Sequence, residues 1–156
     1  MRNQIVKSLV QITFLAVIAT MSGVGSAHGQ SLSNSVRVKV PFDFTVADKK
    51  FPAGEYSITR AQPGSGDLLL RVSSVQGNRN AFRLTNGVVT SAPKDSDTLV
   101  FHQYGDQYFL SQAWPAGANV GRMFLESRGE REARAGMATD KMAMKVRTVS
   151  VTGSPQ

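Results

Sequence analysis

Cysteine is absent from the 156 residues. That excludes disulfides, thiolate metal sites, a catalytic thiol and the lipidated cysteine of a bacterial lipoprotein. Packing alone must hold the fold. Histidine is nearly absent, with His28 and His102 the two in the chain. A histidine metal site needs two or three ligands close together, so neither a metal nor a cofactor is expected. No Gly-x-Ser-x-Gly elbow exists to present a nucleophile. Gly64, Gly66 and Gly77 do not precede a helix, so they form no phosphate cradle. Asp95-Ser96-Asp97 lacks the length and following glutamate of a calcium loop. The pairs Asp95/Asp97 and Glu130/Glu132 read as solvated turn and helix residues rather than a glycosidase dyad. No catalytic residue is assigned, and the protein is not expected to be an enzyme.

What is present begins with an address. Arg2 and Lys7 form a positive start, Leu9 to Met21 is mostly apolar, and Ser22 to Gln30 is rich in small residues. That order is a cleavable signal peptide over 1–29, with cleavage after Ala27 or Gly29. The apolar stretch is shorter than the roughly 20 residues of a spanning helix, and no second one follows. The expectation is export to the periplasm or exterior, with one β-rich domain over 30–156. The formal charge is +7, and the first 29 residues carry two of the cations and no acid, leaving +5. Such an excess favours an envelope component or an anionic glycan or lipid as partner. Nucleic acid is not expected, because the basic residues do not interleave with aromatics.

Hydrophobic residues make up 41% of the chain, and fourteen glycines and six prolines punctuate it. Val36, Val38, Val40, Phe42, Phe44 and Val46 alternate with mostly polar neighbours, the pattern of a half-buried strand. Pro41 places that strand at an edge, bulges it, or breaks it. A turn at Asp48-Lys49-Lys50 leads to a strand over 55–60 with Tyr56 and Ile58 on one face. Gln62 to Gly66 reads as a turn, 67–73 as a strand, Gln76-Gly77-Asn78 as a turn and 81–84 as a strand. Asn86-Gly87 predicts a tight hairpin into Val88-Val89. Short strands at this spacing predict an all-β fold, an antiparallel barrel or two-sheet sandwich of about eight strands.

The segment 98–114 is the best-defined hairpin. Gly105-Asp106 fits a type II′ turn. The register then pairs Tyr104 with Gln107, Gln103 with Tyr108, His102 with Phe109 and Phe101 with Leu110. Ser127 to Glu130 fits a capping box opening one short C-terminal helix, with Glu130 and Arg134 in the favourable i,i+4 order and Gly136 as its end. Residues 141–152 alternate again as a final strand, and the change of parity at Val149 and Val151 suggests a bulge.

Three segments together carry a resemblance: Val40-Pro41-Phe42-Asp43-Phe44, Pro52-Ala53-Gly54-Glu55-Tyr56 and Phe101 to Leu110. With them the chain resembles a family of short exported proteins of soil bacteria without an assigned activity. The resemblance implies export and these domain boundaries, and it implies no activity, cofactor or catalytic residue.

The leading functional expectation is a non-enzymatic binding or structural module of the envelope or exterior. Its candidate binding residues are His102, Tyr104, Tyr108 and Trp114, on the aromatic hairpin. A lipocalin-like carrier of an apolar molecule is the alternative, marked by a long internal cavity. A hydrolase using His102 is the third, marked by a carboxylate and a hydroxyl converging on that ring in a cleft.

Overall fold

A computed structural model describes residues 35–62, 68–139 and 146–153. The expected signal peptide, the turn over 63–66 and the first part of the final strand lie outside these residues. Among the described residues ten strands and one helix form in the order β1 (Val36–Val40), β2 (Phe44–Val46), β3 (Lys49–Phe51), β4 (Gly54–Arg60), β5 (Leu69–Ser74), β6 (Asn80–Val89), β7 (Thr98–Tyr104), β8 (Gln107–Trp114), β9 (Val120–Phe124), α1 (Arg128–Thr139) and β10 (Arg147–Thr152). The fold is all-β. The sheet does not close into a barrel. It folds over itself as two layers, which selects the sandwich.

Proline sets the first departure from regularity. The alternation from Val36 to Val46 breaks at Pro41-Phe42-Asp43, so one expected strand becomes β1 and β2. Both keep their apolar side chains inward. The turn after β2 falls one residue earlier than expected, with Ala47 and Asp48 at φ 49° and 63°. Aspartate tolerates that left-handed region better than most residues.

The first layer runs β1-β4-β5 and then the N-terminal half of β6, all antiparallel. The second runs β10-β7-β8-β9 and then the C-terminal half of β6. The β2–β3 hairpin joins it where Thr45 lies parallel to Phe109 of β8. Strand β6 therefore belongs to both layers. This corrects the hairpin expected at Asn86-Gly87: those residues pair with Met123 and Arg122 of β9 instead. An ideal Cβ on Gly87 would sit 3.7 Å from the Arg122 guanidinium. Strand pairing has overridden the turn preference of Asn-Gly.

Between the layers lie Val36, Val38 and Val40, Tyr56 and Ile58, Leu70 and Val72, facing Phe44, Phe51, Leu99, Phe101, Leu110 and Phe124. Phe101 is fully buried and meets Phe42 and Phe44 edge-on at 5.2 and 5.3 Å. Such contacts stabilise beyond the burial of area.

The β7–β8 register is the expected one at all four pairs. Gly105 has φ 59° and Asp106 is not among the positive-φ residues, as a type II′ turn requires. Beyond these pairs the register slips between Val100 and Phe101, leaving Ser111 of β8 unpaired in a β-bulge. Strand β10 pairs with β7 from Arg147 to Thr152, with Val149 and Val151 opposite Phe101 and Leu99. Helix α1 continues past Gly136, three residues beyond its expected end.

Candidate functional site

A strand exposes alternate residues on opposite faces. On β7, Phe101 points between the layers, so His102 and Tyr104 point outward, where Phe109 and Ser111 of β8 join them. Helix α1 covers this patch with its first turn. Ser127 caps the helix, its hydroxyl accepting the Glu130 N–H at 3.2 Å. The Glu130 carboxylate does not pair with Arg134, which reaches Glu126 at 2.8 Å. It turns to the sheet and accepts from His102 Nδ1 at 2.8 Å. On the far side of the ring, Ser111 Oγ lies 3.1 Å from His102 Nε2. A carboxylate only accepts, so Nδ1 carries a proton and a neutral ring takes the Ser111 hydroxyl proton at Nε2. The Tyr104 hydroxyl points at the same Glu130 oxygen from 3.5 Å. Burial, and then the Glu130 charge, push the Tyr104 phenol above its ordinary value of 10.0.

A second tie holds the helix. Asp48, in the β2–β3 turn, accepts the Gly129 N–H at 2.8 Å. The Ser127 hydroxyl first, and then this N–H, hold the Asp48 carboxyl below its ordinary 3.8. Because the folded value is depressed, this tie is complete above the unfolded value and is lost as pH falls through the folded one. Arg83 completes the attachment by donating to the carbonyls of Leu125 and Glu126.

The four expected binding residues are not brought to one surface. Tyr104 is buried beneath α1, and His102 is half-buried beside it. Tyr108 points to the other side of the sheet, stacked on Phe42 with centroids 4.1 Å apart. Trp114 is buried against Gly121, where an ideal Cβ would stand 2.5 Å from the indole. Its Nε1 donates to Gln112 at 2.9 Å, and Lys94 Nζ lies 5.6 Å from the ring. Among the described residues no three histidines, aspartates or glutamates cluster in a way that could hold a metal. No described helix is long and apolar enough to cross a membrane.

The apolar surface lies elsewhere, on the outer side of the first layer. Leu69 of β5 pairs with Leu84 of β6, and the Leu125 N–H donates to the Leu84 carbonyl at 3.1 Å. Three leucines thus lie side by side on three adjacent backbones, roughly 5 Å apart. Phe82, opposite Arg71, adjoins them along β6, and Met123 adjoins them along β9. Leu84 and Phe82 are 53% and 50% exposed. Sequence reasoning missed this face because large apolar residues in short strands read as core. The inward residues of β6 are Ala81 and Thr85, both buried. It also missed Ser111 and Glu130, which only the bulge and the helix docking bring to His102.

The chain matches no protein-family model, no curated protein and no solved structure.

Proposed function

We propose that the protein is a non-enzymatic binding module of the envelope or exterior, and that it meets its partner with the outer face of the first layer. The observation that carries this reading is the row Leu69–Leu84–Leu125, in which Leu69 is half-buried and Leu84 and Leu125 are exposed, with the exposed Phe82 beside it. The outer side of an antiparallel sheet is normally polar, and contiguous apolar groups there mark interaction sites. Replacing Leu84 by aspartate leaves circular dichroism and the denaturation midpoint nearly unchanged, since the side chain packs on no core. Binding to isolated envelope from the producing cells falls by about tenfold or more, the equivalent of 1.4 kcal/mol. Unchanged binding of this folded variant would overturn the reading.

The row Ser111–His102–Glu130 supports a second reading, a hydrolase in which Ser111 attacks an acyl carbonyl and His102 takes its proton. Both distances suit that relay. Ser111, however, is buried to 4% in mid-strand, where a substrate carbonyl has no approach. The polar groups satisfy one another and fasten the helix, which ranks this reading second. A fluorophosphonate probe therefore leaves Ser111 unlabelled. Labelling that disappears in His102→Gln would reverse the order. The carrier reading has less support. One pocket among the described residues, lined by Val36, Ile58, Thr59, Arg60, Leu70, Ala113 and Arg122, has room for about one water molecule.

A further inference from the structure

We propose that the outer face of the first layer docks on an anionic phospholipid bilayer, leucines entering the headgroup boundary and arginines meeting phosphate. This rests on the binding reading above and names the partner of that same face.

The strand register lays out the face row by row. The row Leu69–Leu84–Leu125 comes first, then Thr59–Arg71–Phe82, then Arg37–Ser57–Ser73, then Lys39–Glu55. Successive rows are two residues apart along the strands, roughly 7 Å. Arg71 therefore lies one row from the leucines, and Arg37 and Lys39 lie two and three rows away on the same side. Arg37, Lys39 and Arg71 are exposed, and none makes an ion pair among the described residues. Among the described residues of these rows Glu55, opposite Lys39, is the acid, and at the edge of β1 Asp97 accepts the Arg37 N–H.

The charge balance of the fold sharpens the contrast. Asp43, Asp48 and Asp97 accept backbone N–H groups. Glu126, Glu130 and Glu132 are bonded to Arg134, His102 and Arg128. Those acids are spent on turns, caps and helix ties, whereas the cations on this face look outward. The apolar row beside cations in one plane is the pattern that binds at a membrane interface. A glycan platform would need aromatic faces, and Phe82 is the one ring on these rows.

The test uses the protein as recovered from its producing cells, with vesicles of phosphatidylglycerol and, separately, of phosphatidylcholine. Phosphatidylglycerol vesicles sediment the protein with at least about tenfold higher affinity, and added salt weakens that binding. Leu84→Asp and Arg71→Glu each reduce it by about tenfold, with circular dichroism unchanged in both. Equal sedimentation of wild type and both variants overturns the proposal, since another segment would then be holding the vesicle. Failure to bind phosphatidylglycerol also overturns it. If envelope binding through Leu84 persists in that case, the partner is a protein or glycan and the functional reading stands. If Leu84→Asp leaves envelope binding intact, that reading falls as well.

Discussion

Replacing Phe101 by alanine lowers the unfolding free energy by about 3–5 kcal/mol, the range for a buried phenylalanine. The ring is wholly buried and touches aromatic partners from the loop after β1 and from β2. Truncation empties a space bounded by several elements, and the sandwich can collapse into it only in part. A urea titration measures the loss, and a change below about 1 kcal/mol would place Phe101 at a margin of the core rather than its centre. The exposed Phe82 provides the contrast, because its truncation changes stability little.

The second large effect concerns the helix. Glu130→Ala removes the carboxylate that His102 and Tyr104 both address, leaving polar groups under α1 without their partner. A hydrogen bond to a charged group contributes roughly 1.5–3 kcal/mol, and the variant loses about that much. Glu130→Gln keeps an acceptor for His102 Nδ1 and recovers part of it. The two variants share one further outcome. Without the Glu130 charge the Tyr104 phenol titrates closer to its ordinary value, though not at it, because burial is the larger cause of its rise. Ultraviolet titration of tyrosinate reads that change. A Tyr104 unmoved in both variants would show that the helix does not seat Glu130 beside it.

Those residues mark where sequence reasoning reached and where it stopped. The alternation from Val36 to Val46, the break at Pro41 and the Gly105 turn are local, and local rules found them. Ser127 as helix cap was legible for the same reason. Strand β9 was not, because Gly121 and Arg122 interrupt any alternation between Val120 and Phe124. Gly121 is explained only by the indole of Trp114 lying where its Cβ would stand. The Asn86-Gly87 turn signal was real as a propensity and lost to pairing with β9. Ser111 could not be aligned with His102 from sequence, since a bulge shifts the register by one residue without any composition signal. The seating of helix α1, too, depends on contacts from Asp48 and Arg83, which lie far from it in the chain.

Strand β6 has a consequence for how the molecule comes apart. Its first half is laddered to β5 and its second half to β9, so the same ten residues form the seam of both layers. Opening either layer strips half of that ladder and frays the other layer at its shared edge. The two layers cannot behave as separate cooperative units, and amides on both sides of the seam exchange with solvent through one common opening.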